Sequence, residues 1–276
     1  MIDNIGIGNK ILLLRKRNGF TQEELAEKLE ISAQAISKWE NGHTLPETAL
    51  LPALARLLNS SIDSILMRNA VKEGDIINFG SYQWRVMRVN GNSALIITET
   101  TIGKAPYHDH MTDITWEHCN LRKYLNGEFY DKFTEAEKTR IIKTKLTDRD
   151  NPWYGTRCGN STLDKVFLLS YDEIIQYFGD SGDLQNRKSW YWAEHDKIMH
   201  CDENSYLPYG DCIYDQYNDG RKVQNAKGAD DWWWLRSPGA HAHTAGSIGY
   251  QGELSLCGDD VYRVDGGVRP ALWLGF

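Results

Sequence analysis

Gln34, Ser37 and Lys38 are the residues whose types and spacing speak most directly of chemistry. Separated by three and four positions, they share one face of a helix, while Ile36 and Trp39 occupy the other. A carboxamide such as Gln34 donates and accepts at once, which is what the edge of adenine in the DNA major groove asks for. Ser37 adds a hydroxyl and Lys38 a cation. A hairpin of two helices that only packs in a bundle is the alternative, and an outward polar face beside a tight turn speaks against it.

Other constellations offer less. His108, Asp109 and His110, with His118 downstream, could collect a metal, but an exposed polar loop accounts for them equally and no fixed ligand spacing supports a site. Cys119, Cys158, Cys201, Cys212 and Cys257 are scattered with no CxxC pair, and read as reduced, mostly buried thiols. No Ser/His/Asp order or isolated carboxylate pair stands out, so neither an enzyme nor a cofactor or metal is expected. Trp232, Trp233 and Trp234 could stack on a sugar or a base, yet consecutive strand residues alternate faces and the inward ones are core. Arg236 and Arg269 read as structural ties from a turn to a carboxylate or carbonyl.

The elements that must hold the polar face are marked by capping signals. Thr21 with Glu24 makes a capping box, Leu25, Ala26 and Leu29 give the helix its apolar side, and the break Glu30-Ile31-Ser32 ends it. Ser32 then caps a second helix that runs to Asn41-Gly42. Before this pair, Ile7–Asn18 reads as a helix with Ile11, Leu12 and Leu14 on one side and Gly19 as its stop. After it, Pro46 is expected to start a fourth helix carrying Leu50, Leu51, Leu54, Leu57 and Leu58, and Ser61–Leu66 a short fifth.

Composition bounds what this bundle can do. The chain has 276 residues, 41% hydrophobic and 25% charged, which is ordinary for a globular protein and long enough for two domains. A net charge of −7 excludes a general nucleic-acid coat, so DNA binding must be local. Lys10, Arg15, Lys16 and Arg17 on the preceding helix, with Lys38, are the basic residues near enough to support it. MIDNIGIGNK lacks the basic region and apolar run of a signal peptide, and no stretch is apolar for the length of a bilayer. A cytoplasmic protein without membrane contact is the expectation.

At Thr21-Gln22, Leu25-Ala26, Ile36-Ser37, Trp39-Glu40-Asn41-Gly42 and Pro46, the stretch resembles the helix-turn-helix of the phage repressor and Cro family, the xenobiotic-response-element type. The resemblance covers Ile7 to Leu66 and implies a five-helix bundle whose second motif helix lies in the major groove of double-stranded operator DNA. Carried over by position, the base readers are Ser32, Ala33, Gln34, Ser37 and Lys38, with Ser32 chiefly a cap and Ala33 limited to a methyl contact. Gln22 and Asn41 fall where the family grips the phosphate backbone. Members commonly dimerise on operators with two half-sites, so a homodimer is implied as well.

Beyond Met67–Glu73 the periodicity changes from helical to alternating, which places a helix-turn-helix domain at 1–68, a linker at 69–75 and a second domain at 76–276. Strands are expected at Ile76–Phe79, Tyr82–Val89 and Ala94–Glu99, the last two joined by an Asn90-Gly91 turn. Helices are expected from Trp116 to Leu125, ended by Asn126-Gly127, and after the capping boxes Thr134–Glu137 and Ser170–Glu173, with Val166–Leu169 as a buried strand. Asp180–Asp231 is long and irregular, and short strands follow at Trp232–Leu235, Ser247–Tyr250, Glu253–Cys257, Val261–Val264 and Val268–Leu274. The fold class is therefore multidomain, an all-α bundle followed by an α+β domain, and no glycine-rich phosphate loop follows any strand.

WEHCNLRKYLNGEF, DKVFLLSYDEI, WWWLRSPG and GGVRPALWL resemble an uncharacterised bacterial domain family that often follows signalling or DNA-binding modules. Its end is similar to the C-type-lectin-like fold of formylglycine-generating enzymes and of the variable receptors of diversity-generating retroelements. The calcium-site motifs of sugar-binding lectins are absent, and Cys212 and Cys257 sit in no local pattern matching the enzymes' reactive cysteine pair. The surface that such a fold uses for binding corresponds to Pro238–Asp265, with His241, His243, Tyr250, Gln251, Asp259, Asp260 and Tyr262 as candidate contacts to a ligand or partner. The expectation is a sequence-specific DNA-binding transcriptional regulator whose C-terminal domain senses an unknown small-molecule or protein effector. The alternatives are an adaptor whose lectin-like domain binds a partner protein, and an enzyme fused to a DNA-binding module.

Overall fold

The computed structural model describes residues 4–66, 71–186 and 212–276. Cys201, the centre of the Asp180–Asp231 stretch and part of the 69–75 linker lie outside the described residues. The chain divides into two compact units, one built on the helices before Lys72 and one on the strands that begin after Glu73.

The first unit holds α1 (Asn4–Arg17), α2 (Gln22–Lys28), α3 (Ala33–Glu40), α4 (Leu51–Leu57) and α5 (Ile62–Ile65). Thr21 caps α2 through the reciprocal bonds of a capping box with Glu24, and Ser32 and Ser61 each accept a backbone N–H at the start of α3 and α5. The other ends share one device. After α1, α2, α3 and α4 the chain enters the left-handed region at Gly19, Glu30, Gly42 and Asn59. The next N–H then reaches back over the last turn: Phe20 to Arg15, Ile31 to Ala26, His43 to Lys38 and Ser60 to Ala55. These are Schellman ends, which satisfy carbonyls that the helix leaves unpaired.

Ile7, Ile11, Leu25, Ala26, Leu29, Ile36, Trp39, Leu54, Leu58 and Ile65 close the core of this bundle. Each large aliphatic among them contributes on the order of 2 kcal/mol by leaving water. Gly8 lets α1 lie against the end of α3, since a Cβ there would stand 2.2 Å from the Trp39 carbonyl oxygen. Two expectations change. Pro46 does not start a helix; the chain makes a 3-10 turn at Thr48–Leu50 and α4 opens at Leu51, with Pro52 in its first turn where a missing N–H costs nothing. Leu12 is only half-buried, because Ile7, Ile11 and the aliphatic parts of Lys10 and Arg15 take the inner side of α1.

The second unit opens with β1 (Ile76–Phe79), β2 (Tyr82–Asn90) and β3 (Ser93–Thr98). Gly91, with φ +56, supplies the left-handed residue of the β2–β3 turn. α6 (Asn120–Tyr124), α7 (Glu135–Lys138), β4 (Ile141–Ile142), β5 (Thr144–Leu146), β6 (Thr162–Asp164) and α8 (Tyr171–Phe178) follow, and then β7 (Cys212–Ile213), α9 (Asn218–Arg221), β8 (Val223–Gln224) and β9 (Asp230–Asp231). The chain finishes with β10 (Trp233–Pro238), β11 (Thr244–Ile248), β12 (Leu254–Asp260) and β13 (Ala271–Gly275). Two sheets organise the unit, one ordered β1-β2-β3-β13-β4 and one β10-β11-β12-β7, so the last strand closes against the first hairpin.

Asn126-Gly127 does not end a helix as expected. α6 passes into a π turn at Leu125–Phe129, and the Asn126 carboxamide instead ties the chain to Lys165 and Val166, donating to one carbonyl and accepting from both N–H groups. Val166–Leu169 is fully buried but is a crossing between sheets and not a strand of either. Phe167 exchanges both backbone bonds with Ala271 of β13, and two residues on Leu169 accepts from Arg236 of β10. Val261–Val264 is turn, because β12 runs on to Asp260 through a bulge. All three of Trp232, Trp233 and Trp234 are buried, with Trp232 and Trp234 meeting edge to face at 4.7 Å, so alternation exposes neither side.

Candidate nucleic-acid interface

Helix α3 turns a polar face outward and an apolar face into the core. Gln34 and Lys38 are exposed and Ser37 is half-buried, while Ile36 and Trp39 are sealed in the core. Among the described residues nothing bonds to the side chain of Gln34 or of Lys38. Ser32 spends its hydroxyl on the Ala35 N–H at 3.2 Å, the cap anticipated for it. Ala33 is half-buried at the first turn. Asn41, exposed beyond the last turn, donates its amide to the Ser37 carbonyl at 2.8 Å and sits 3.4 Å from the Ser37 hydroxyl. Ser37 is thus partly engaged, and Gln34 and Lys38 keep their full polar capacity toward solvent.

The orientation of α2 against α3 is set by a buried carboxylate. Glu40 accepts from Arg15 Nε at 2.5 Å and Nη2 at 3.1 Å, and from Gln22 Nε2 at 2.6 Å. Both charged side chains are almost wholly buried, and the bond to Glu40 holds the Arg15 guanidinium above its usual range. Arg15 also donates to the Phe20 carbonyl, locking the α1–α2 turn. One guanidinium and one carboxylate therefore fix three helices, and they aim Gln22 from the start of α2. Gln22 keeps one amide hydrogen and its carbonyl oxygen for a further partner.

This arrangement revises the basic patch. Arg15 is buried in the Glu40 pair and Lys10 is buried as well, its ammonium held below the usual range by desolvation and by Arg17. Exposed positive charge near the motif comes from Lys16, Arg17, Lys28 and Lys38. Sequence reading passed over Glu40 as a positioning residue, since its partners stand 25 and 18 positions away and no local pattern links them.

In the sheet-rich unit the candidate contacts divide. His241 and His243, in the β10–β11 turn, stack face to face at 5.4 Å. Tyr250 and Gln251 lie past the other end of β11, a five-residue strand away. Asp259 is engaged internally: it accepts from Ser247 at 2.7 Å and from Arg263 at 2.7 Å, and burial raises its pKa above the usual carboxylate value. Arg263 also forks onto Asp265 and covers the face of Trp232 at 4.8 Å. Asp260 is half-buried and Tyr262 exposed. Among the described residues no group of three or more His, Cys, Asp or Glu is placed to hold a metal ion.

The capped pair α2–α3 on a bundle locked at Glu40 defines a helix-turn-helix regulator domain of the Cro and repressor type, and residues 11–65 match the family described as Helix-turn-helix. Residues 91–276, more than half of the chain, match the family described as Domain of unknown function (DUF6273), and the chain belongs to it. Similar proteins include the competence pilus inhibition repressor of Acinetobacter baylyi, 35% identical over 86 residues that make up 30% of this chain and 74% of that protein. The transcriptional activator BcrR of Enterococcus faecalis is 40% identical over 57 residues, 21% of this chain and 28% of its own length. The regulator ImmR of Bacillus subtilis is 34% identical over 77 residues, 27% of this chain and 61% of its own. The chain thus spans between about a quarter and three quarters of these relatives. Among solved structures, the P22 c2 repressor in complex with a synthetic operator is 34% identical over 21% of this chain and 89% of that one, with a TM-score of 0.21.

Proposed function

We propose that the protein is a sequence-specific transcriptional regulator that reads operator DNA with α3, as a cytoplasmic homodimer. The observation that carries this reading is the pair of exposed, unengaged side chains Gln34 and Lys38 on a helix whose other face is fixed in the core. The match to the helix-turn-helix family and the regulators among the relatives support it. Gln34 is the base reader, Ser37 and Lys38 support it, Ala33 offers a methyl, and Gln22 and Asn41 grip phosphates at the two ends of the motif. The test is Gln34→Ala against an operator selected from genomic fragments. A loss of about 1–3 kcal/mol with relaxed preference at one base pair is expected. Unchanged affinity and preference would remove Gln34 from the readers.

In this reading the sheet-rich domain is a lectin-like sensory or interaction module and not an enzyme. The closure of its last strand against the first hairpin, and the exposed His241, Tyr250 and Tyr262, are what support that view. An effector that binds one arrangement of the dimer better shifts operator affinity by the difference. Among the described residues no helix is long and apolar enough to cross a membrane. Thermal-shift screens with metabolites and a pull-down through residues 76–276 separate a small-molecule effector from a protein partner.

A further inference from the structure

Strand pairing sets Cys212 of β7 opposite Ser255 of β12, beside the Ile213–Leu254 pair. Between Ser255 and Asp259 the β12 strand spends four steps against two of β11, and Gly258, with φ +72, takes up the excess. The resulting bulge carries Cys257. Its carbonyl is held by the Ala240 N–H at 2.8 Å and the Thr244 hydroxyl at 3.1 Å, so the backbone that presents the thiol is fixed. The sulfur lies 3.3 Å from the Ser255 hydroxyl, which the Gly258 N–H fixes in turn. Paired residues of an antiparallel ladder face the same side, so the Cys212 thiol stands on the face that carries the Ser255 hydroxyl and the Cys257 sulfur. Two thiols far apart in sequence thus meet across one hydroxyl, and both side chains are half-buried and not sealed.

We propose that Cys212 and Cys257 form a reversible dithiol–disulfide pair, a modification site for two-electron thiol oxidants such as oxidised glutathione. This goes beyond DNA reading and rests on no part of it. The reaction balances in two exchanges. The thiolate of one cysteine attacks a glutathione sulfur, forms a mixed disulfide and releases one glutathione thiolate, which takes up a proton. The second cysteine then gives up its proton, attacks the protein sulfur of the mixed disulfide and releases the second glutathione. Two protein thiols are oxidised and one glutathione disulfide is reduced to two thiols. The neighbouring Cys257 thiol and burial hold Cys212 protonated at neutral pH, so closure is slow there and speeds up in alkali.

The experiment incubates the full chain with oxidised glutathione at mildly alkaline pH, traps free thiols by alkylation and maps peptides without reduction. Three results are expected: a mass lower by two hydrogens, a cross-link between the peptides of Cys212 and Cys257, and reversal by dithiothreitol. The rate should rise about tenfold per pH unit while both thiols stay largely protonated. Cys212→Ser and Cys257→Ser should each stop at a mixed disulfide with glutathione, whereas Cys158→Ser and Cys201→Ser should close as before. Because the link is read in the unaltered chain, poor folding of a variant leaves the test intact. A stable double glutathione adduct, a link through Cys201, or two cysteines that remain fully alkylatable would overturn the proposal.

Discussion

Helix α3 and the β10–β12 sheet treat their polar side chains in opposite ways. On α3, Gln34 and Lys38 stand exposed with nothing among the described residues bonded to them. In the sheet, Asp259 is engaged by Ser247 and Arg263, Arg263 by Asp265, and Arg236 by Asp148 and Glu173. A surface that reads a polar code must keep donors and acceptors open, since each internal bond has to be broken before a new one forms. The difference teaches where to look for specificity in each unit: in free side chains on α3, and in the exposed turns at the two ends of β11, His241–His243 and Tyr250–Gln251, away from the Asp259 network between them.

The sharpest way to break that comparison is at Arg236. Its guanidinium is buried, forks onto Asp148 and donates to Glu173 and to the Leu168 carbonyl. Burial opposes the charge, but Glu173 and Asp148 outweigh it and hold the group above its usual range. Arg236→Ala leaves two carboxylates without their cation in a largely buried setting, and should cost roughly 3–5 kcal/mol of stability. Urea unfolding followed by the tryptophans of this unit would report it, while operator affinity of the folded protein stays near its starting value. A cost below about 1 kcal/mol would mean that the network is dispensable, and that its acids are available for a ligand after all.

A smaller effect is expected within the helical unit. Gly8→Ala places a methyl 2.2 Å from the Trp39 carbonyl oxygen and 2.9 Å from that of Glu40. These are backbone atoms of α3, so they cannot swing aside, and α1 must lift. Overpacking of this kind costs about 1–3 kcal/mol, read from thermal or urea unfolding. Because α3 shifts with its neighbour, operator affinity should fall together with stability. Loss of one without the other would uncouple the core from the outward face of α3.

Much of the helical unit was legible in sequence because its signals are local. Thr21 and Glu24, Ser32, and Gly19 and Gly42 each act on a backbone a few residues away, and the structure places all of them in the roles that their chemistry suggests. Gln34 and Lys38 were legible as outward residues for the same reason. Glu40, Asn126 and the Cys212–Cys257 pair were not, since each is defined by a partner many positions off that only the fold supplies. The crossing at Val166–Leu169 was missed because a continuous apolar run looks the same whether a ladder or a single bridge receives it, and the end of β12 was missed because Gly258-Asp259-Asp260, which reads as a turn, carries the strand on through a bulge.

The α2–α3 turn offers a gain in place of a loss. Three of the four Schellman ends place glycine or asparagine in the left-handed region, residues that tolerate it, but α2 places Glu30 there with φ 55. Glu30 is exposed, and its N–H already reaches the Glu27 carbonyl at 3.1 Å. Glu30→Gly removes the Cβ strain and keeps that bond, so the unit should gain up to about 1 kcal/mol after the greater freedom of glycine in the unfolded chain is set against it. A rise in the unfolding midpoint with unchanged operator specificity is the expected result. Destabilisation would show that the Glu30 side chain contributes more than its backbone costs.

The smallest expected effect tests whether Asp259 serves the fold or awaits a ligand. Burial raises its pKa above the usual carboxylate value, and the bonds from Ser247 and Arg263 offset only part of that. A raised carboxylate binds its proton more tightly in the folded state than in the unfolded one. Its stabilising contribution is therefore complete below the unfolded pKa and is lost as pH rises through the folded one, a window that opens just above the ordinary aspartate value of 3.8. In Asp259→Asn the carboxamide oxygen accepts from Arg263 and the new NH2 group donates to the Ser247 hydroxyl in place of the second carboxylate oxygen, and this pH-dependent loss is gone. Unfolding measured from pH 3.5 to 7 should show the variant gaining on the parent as pH rises, then running parallel to it. The opposite slope would mean that Arg263 dominates and that the acid is an ion-pair partner first, which would make the Asp259–Arg263–Asp265 network hold its shape by charge and leave the two ends of β11 as the places where this unit can meet something else.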